Sequence, residues 1–277
     1  MHQDKQEEVL MQLEAKAERL KSLLRSCGRV ALAFSGGVDS SLLLKCALET
    51  LGIGNVLVLF AQSELLTQED IGLAANWLVE NGYPQGVEIE FVQLYPLDWK
   101  EFVKNGEDRC YLCKHRIYST FRQRMETRGF SRLIDGTNTD DLKGHRPGLR
   151  AIRELGVTMP LVEAGFDKID VRSLSRHLGL TTWDRPSASC LATRIPVGME
   201  ITSQRLRRIE IFEKGLGRLG LAGCRVRLSS SHQDVVCLEI STKNFELIPD
   251  SDIRSEIQRF LYDHGVKKVL LNLEARV

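Results

Sequence analysis

Short apolar runs alternate along this chain with segments in which apolar residues return every three or four positions. Val9, Leu10, Leu13, Leu20, Leu23 and Leu24 recur at helical spacing, which predicts an amphipathic opening helix from Glu7 to about Arg25. Val30-Ala-Leu-Ala-Phe34 is continuously apolar, the pattern of a strand buried on both faces. A helical pattern with Leu42, Leu43, Leu44, Ala47 and Leu48 follows it. The cycle repeats with a strand at Val56–Phe60, a helix at Gln68–Glu80 and a strand at Val87–Val92. A helix at Tyr111–Thr127 and a short strand at Arg132–Asp135 continue it. Strands that alternate with helices predict a parallel sheet with helices on both faces, an α/β fold.

Past Ile195 the texture changes. A basic helix over Thr202–Arg218, strands at Cys224–Leu228 and Val235–Ile240, a helix over Asp252–His264 and a strand at Lys268–Leu273 predict a smaller α+β domain. With the break near Pro196-Val-Gly198, the expected division is one domain over residues 1–195 and a second over 196–277. No internal repeat or low-complexity tract interrupts this plan.

The chain's 277 residues suffice for two such domains. Lys plus Arg number 38 against 37 Asp plus Glu, which argues against a general nucleic-acid coat, because counterion-driven binding needs a basic excess. No apolar run reaches the roughly 18–20 residues of a membrane span. The polar, acidic start is not that of a secretory signal. The expectation is a cytoplasmic protein without membrane or nucleic-acid partners. Seven cysteines cannot all pair internally, and a reducing compartment makes a disulfide framework improbable.

Candidate chemistry begins at Ser35-Gly-Gly-Val-Asp-Ser-Ser41, between a buried strand and a helix. Gly36 and Gly37 let backbone N–H groups converge on a ligand, and the helix behind adds its positive end. Ser35, Ser40 and Ser41 can donate to phosphate oxygens, and Asp39 is placed to hold Mg²⁺. No Gly-Lys-Ser/Thr follows, so this is not the Walker A pattern. The competing reading is a tight turn capped by Ser or Asp. The complete string resembles the PP-loop of the ATP pyrophosphatase superfamily, whose members cleave ATP between the α- and β-phosphates. A second loop, Asp135-Gly-Thr-Asn-Thr-Asp-Asp141, follows the strand at 132–135 and emerges on the same carboxyl edge, where open α/β sheets bind ligands. Gly136 allows close approach, and Asp140 and Asp141 can share a metal or orient substrate. An Asx-rich surface turn is the bland alternative.

Cys110-Tyr-Leu-Cys113, followed by Lys114, His115 and Arg116, sets two thiols close together beside positive charge. A redox pair, half a zinc site and part of an iron–sulfur site are all compatible with it. Cys190 stands in the polar stretch Ser187-Ala-Ser-Cys-Leu-Ala-Thr-Arg194, whereas Cys46 and Cys237 fall inside apolar patterns and read as core thiols. Cys27 and Cys224, each beside a glycine, have no evident role.

These motifs, with DGTNTDDLKGHRPGLRAIRELGV and PLVEAGFDKIDVRSLSRHLGL, together resemble the LarE sulfur transferases over nearly the whole chain. That family acts in making the nickel-pincer nucleotide cofactor of lactate racemase. The resemblance implies adenylation by ATP of a carboxylate of pyridinium-3,5-biscarboxylic acid mononucleotide, then replacement of AMP by sulfur to give a thiocarboxylate. In one subgroup the cysteine matching Cys190 gives up its own sulfur, and there the CYLC positions are not cysteines. This chain is similar instead to a three-cysteine subgroup in which Cys110, Cys113 and Cys190 would hold a 4Fe-4S cluster whose fourth iron binds sulfide. The resemblance also implies a homo-oligomer, a hexamer being the size it suggests, and an external sulfide or sulfur donor. Arg225 and Arg227 alternate on a strand and share one face, so they can clamp a phosphate or carboxylates. In the family the matching arginines, with a glutamate matching Glu213, lie near a phosphate site. Arg194 is a further candidate for the anionic substrate, and Lys114 for neutralising the α-phosphate. A PP-loop tRNA thiolation enzyme, an ammonia-using NAD-type synthetase and a non-enzymatic nucleotide- or metal-binding module are the alternatives.

Overall fold

The computed structural model describes residues 2–83, 86–144, 146–186 and 189–276, with side chains from Leu10 onward. The side chain of Val9, and Ser187 and Ala188 in the Cys190 motif, lie outside the described residues. In chain order the elements are α1 (His2–Cys27), β1 (Val30–Phe34), α2 (Val38–Leu51), β2 (Val56–Gln62), α3 (Gln68–Glu80) and β3 (Ile89–Gln93). Then come α4 (Lys100–Val103), α5 (Arg109–Thr127), β4 (Leu133–Asp135), α6 (Pro147–Glu154), α7 (Pro160–Ala164) and α8 (Lys168–His177). The last are α9 (Ser203–Arg218), β5 (Arg225–Leu228), β6 (Val235–Glu239), α10 (Thr242–Phe245), α11 (Ser251–Asp263) and β7 (Lys268–Leu271). Among the described residues no helix is long and apolar enough to cross a membrane.

The chain divides into two units. The first comprises Met1–Gln62, Gln68–Leu94 and Cys110–Arg185; the second comprises Ser63–Thr67, Tyr95–Arg109 and Pro186–Val277. In the first, four parallel strands run in the order β3-β2-β1-β4. This is the α/β sheet of a PP-loop fold. All five residues of β1 are buried, as its unbroken apolar run requires. From β1 the chain steps outward through α2 to β2 and through α3 to β3. It then returns by α5 to add β4 on the other side of β1. Parallel crossovers are right-handed, so this reversal places α5 on the sheet face opposite α2 and α3.

The reversal between β1 and β4 is a topological switch point, where loops leaving the strands' carboxyl ends open a crevice. The segments after Phe34 and after Asp135 are those loops. Their separation is set by contact: a Cβ on Gly136 would fall 2.8 Å from the Ser40 amide nitrogen and 3.1 Å from the Asp39 carbonyl carbon. Gly136 is therefore required for space. α1 buries Leu13, Leu20 and Leu24 and packs on α2 and α7. Lys16 Nζ of α1 also donates to Asp170 Oδ2 of α8 at 2.5 Å.

In the second unit β5 pairs antiparallel with β6, and β6 parallel with β7. Phe212, Leu216, Val226, Val236, Leu238 and Leu261 are buried together in its core. Gly215 lets the Phe260 ring of α11 lie against α9, since a Cβ there would come within 2.0 Å of that ring. Alternation puts Arg225, Arg227, Cys237 and Glu239 on the face opposite Val226, Val236 and Leu238. The reading of Cys237 as a core thiol is thereby corrected: it is half-buried on that outer face. Cys46 is buried as expected, and Cys224 joins the second unit's core.

Two outcomes follow from this packing. Gly136→Ala is expected to destabilise the protein by about 1–3 kcal/mol through overpacking; an unchanged urea midpoint would show that the loop yields. Burial pushes the Cys46 and Cys224 thiols up to about 12, which leaves little reactive thiolate at pH 8. The half-buried Cys27 should therefore alkylate with iodoacetamide about tenfold or more faster than either, and equal rates in the native protein would contradict this burial.

Candidate active site

The Ser35–Ser41 loop owes its shape to its own hydroxyls. Ser40 Oγ accepts from the Ser35 amide at 3.2 Å and donates to the Gly37 carbonyl at 3.1 Å, while the Ser35 and Ser40 hydroxyls lie 3.0 Å apart. Helices α8, α9 and α11 begin with side-chain caps from Asp167, Thr202 and Asp250. Helix α2 has Gly37 as N-cap and, among the described residues, no side-chain cap. The start of α2 is thus left without a side-chain cap, while the Gly37 amide donates to Ser35 Oγ at 3.4 Å within the loop. Ser41 lies fully buried, and its hydroxyl has no hydrogen-bond partner among the described residues. Gly36 has φ +73°, a conformation glycine supplies without strain. Its carbonyl accepts from Arg185 Nη1 at 3.0 Å, and Arg185 Nη2 donates to Asp70 at 2.8 Å.

Asp39 is held from two sides. Its Oδ1 accepts from Asn138 Nδ2 at 2.9 Å and its Oδ2 from Lys168 Nζ at 2.5 Å. The Lys168 backbone amide also donates to Asp140 Oδ2 at 2.9 Å, so one residue bridges both carboxylates. Lys143 and that amide hold the Asp140 carboxyl below its ordinary range. Asp141 accepts from the Asn138 amide at 3.1 Å and pairs with Arg146. The loop is anchored by buried Asp135, which accepts from the Thr137 amide at 2.7 Å and from the hydroxyls of Thr137 and Tyr118. Burial and Asp135 push the Tyr118 hydroxyl well up, fixing it as donor. Lys114 Nζ lies 3.9 Å from Asp135 Oδ2 and 5.4 Å from the Tyr118 ring centre. Its stem runs past Gly148, where a Cβ would come within 3.0 Å. An uncapped helix start beside two carboxylates suits a nucleotide's phosphates and their divalent cation.

Cys110 and Cys113 are half-buried in the first unit, one turn apart on one face of α5. Cys190 is half-buried in the second unit, the N-cap of a short 3₁₀ turn over Leu191–Arg194. Among the described residues no group of three or more His, Cys, Asp and Glu side chains is assembled for a metal ion.

In the second unit Arg194 and Glu213 pair with each other. Arg194 Nε and Nη2 donate to the two Glu213 oxygens at 2.8 and 3.1 Å. Arg227 Nε donates to Glu239, and its Nη1 to the Thr193 carbonyl at 2.7 Å. Arg225 stands opposite Glu239 in the strand register. Burial first, then Arg276 and Arg194, push its guanidinium down to about 10. Arg194, Arg225, Arg227 and Arg276 thus crowd around Glu213 and Glu239, and the local charge is positive.

Sequence reasoning missed Asn138, Lys168, Arg185, Glu239 and Arg276. Two of them carried a local signal: Asn138 stands inside the second loop already singled out, and Lys168 follows Asp167, which with Asp170 forms the capping box that starts α8.

No protein-family model matches the chain. It is 34% identical over 264 residues to an uncharacterized protein of Synechocystis, covering 95% of each chain. It is 28% identical over 204 residues to one of the subunits of the glutamine-hydrolyzing GMP synthase of Thermoplasma volcanium, covering 68% of this chain and 64% of that one. With the pyridinium-3,5-bisthiocarboxylic acid mononucleotide synthase of Lactiplantibacillus plantarum it shares 35% identity over 230 residues, 82% of this chain and 80% of the synthase. On that similarity, and with a PP-loop sheet carrying the SGGVDSS loop at its switch point, the protein belongs to the LarE family of enzymes.

Proposed function

We propose that this protein is an ATP-dependent sulfur transferase acting on pyridinium-3,5-biscarboxylic acid mononucleotide in nickel-pincer cofactor biosynthesis. What carries the reading is the arrangement around Asp39 in a chain of this family: an uncapped α2, two carboxylates and Lys168 at the switch point. ATP would lie with its phosphates over the start of α2, where Asp39 with Asp140 would hold the Mg²⁺ that accompanies them. Lys168 Nζ, donating to Asp39 Oδ2, orients that carboxylate. A substrate carboxylate oxygen then attacks the α-phosphorus, and pyrophosphate leaves with the electron pair of the broken P–O bond. Lys114, held by Asp135, offsets negative charge on the α-phosphate.

The acyl adenylate is next attacked at its carbonyl carbon by sulfide, AMP departs, and a thiocarboxylate remains. The thiols of Cys110, Cys113 and Cys190 would be the ligands of a 4Fe-4S cluster with one iron left open. Such a cluster, when bound, would supply the sulfide. Arg225 and Arg227 take the substrate's anionic groups, favoured by the positive charge gathered around them. We assign substrate holding and self-association as a homo-oligomer to the 196–277 part of the second unit, and the nucleotide chemistry to the PP-loop domain.

Three outcomes test this. Substrate-dependent exchange of labelled pyrophosphate into ATP is expected in the parent enzyme, and a fall of about a hundredfold in Asp39→Asn; exchange that survives in that variant would remove Asp39 from the nucleotide site. Arg225→Ala should raise the substrate KM about tenfold or more, and an unaltered KM would remove the clamp. Anaerobic reconstitution should yield about four irons and four sulfides per chain, with absorbance near about 400 nm. Absence of iron, together with a mass loss of one H₂S at Cys190 after turnover, would overturn the cluster and make Cys190 the sulfur donor.

A further inference from the structure

We propose that Arg194 is a positioning residue for Cys190 and not a contact to the substrate. The proposal rests on the sulfur-transfer reading above. Arg194 is only 6% exposed. One edge of its guanidinium faces Glu213, both carboxylate oxygens of which it meets in a parallel fork. Its remaining nitrogen, Nη1, reaches the Ser189 carbonyl at 2.7 Å, the Cys190 carbonyl at 3.1 Å and Thr193 Oγ1 at 2.9 Å, with Ser189 Oγ also in range. The acceptors of Nη1 all belong to the turn that carries the Cys190 thiol.

The far side of this clamp is fixed as well. Glu213 Oε1 accepts from the Val226 amide at 2.9 Å, which ties α9 to β5. Arg227 Nη1 donates to the Thr193 carbonyl at 2.7 Å, a second bond from β5 to the same turn. Thr193 Oγ1 closes the turn internally by donating to the Cys190 carbonyl at 2.8 Å. A loop cysteine gains a defined direction only if its backbone is held, and a group misplaced by about 1 Å costs about a hundredfold in rate. Lysine cannot replace this device, since a point charge cannot meet both Glu213 oxygens and the turn carbonyls together.

The experiment uses the full chain with three readouts: pyrophosphate exchange and thiocarboxylate formation by the anaerobically reconstituted protein, and, with the iron-free protein, the rate at which iodoacetamide alkylates Cys190, read by peptide mass spectrometry. For Arg194→Lys the expected result is a substrate KM for exchange within about twofold of the parent. Thiocarboxylate formation should fall about tenfold or more, and Cys190 should alkylate about threefold faster while Cys27 keeps its rate. Thr193→Val, which removes one Arg194 acceptor but keeps the Glu213 pair, should accelerate Cys190 alkylation in the same direction and serves if Arg194→Lys does not fold. A KM for exchange raised about tenfold with Cys190 alkylation unaltered would make Arg194 a substrate contact and overturn the proposal. Unaltered alkylation of Cys190 in every folded variant would overturn it too. Absence of exchange in the parent enzyme would sink the proposed function instead, while the alkylation rates still decide whether Arg194 holds the turn.

Discussion

The contact between Gly136 and the backbone at Asp39 and Ser40 is the constraint on which the nucleotide end of this protein depends. No side chain fits there, and the register of β1 against β4 allows no slack: Ala31, Leu32 and Ala33 pair with Leu133, Ile134 and Asp135. Because the two loops touch, Asn138 reaches Asp39 and Asp140 stands within reach of Lys168. The strand pairing sets the loops, the loops set the carboxylates, and the carboxylates set the lysine.

The two units treat charge differently, and the difference matches what each would do. Lys168 and Asp39 have side chains 31% and 23% exposed. A partly solvated pair of this kind is worth about 0–1 kcal/mol, so a nucleotide-bound cation can displace the ammonium at small cost. Arg194 and Glu213 are 7% and 14% exposed. Breaking a buried pair costs about 3–5 kcal/mol, because the remaining charge is stranded. On the proposed function the first pair would part for the cation, while the second stays closed.

The alternation of apolar runs and helical patterns made the α/β unit legible, because a strand buried on both faces has no polar positions to disguise it. The order of those strands was not legible, since pairing β1 with β4 joins residues about a hundred positions apart and leaves no local trace. Helices α6 and α7 escaped for another reason: they hold 8 and 5 residues and start at Pro147 and Pro160, too short for a period to show. Cys237 was misread because Val235-Val-Cys-Leu looks uniformly apolar, while burial alternates along β6. At the site, the glycine- and serine-rich loop announced itself through composition. Its partners did not, for Lys168 and Arg185 reach it across 129 and 149 positions of chain. Arg194 was visible as a charge near a cysteine, and only its burial shows that its donors are spent inside the protein.

That commitment sharpens the reading of the remaining arginines. Arg194 holds Glu213 and Arg227 holds Glu239, while Arg225 stands half-buried opposite Glu239, and burial first, then Arg276 and Arg194, drive its guanidinium down to about 10. A cation held below its ordinary range is one whose charged form the fold disfavours. If this face holds the substrate as proposed, an anion there would offset the repulsion from Arg276 and Arg194, which is a smaller cause of that shift than burial. A phosphate or a carboxylate can do this, and a neutral ligand cannot. On the proposed function, the crowding of guanidiniums around Arg225 would favour an anionic substrate.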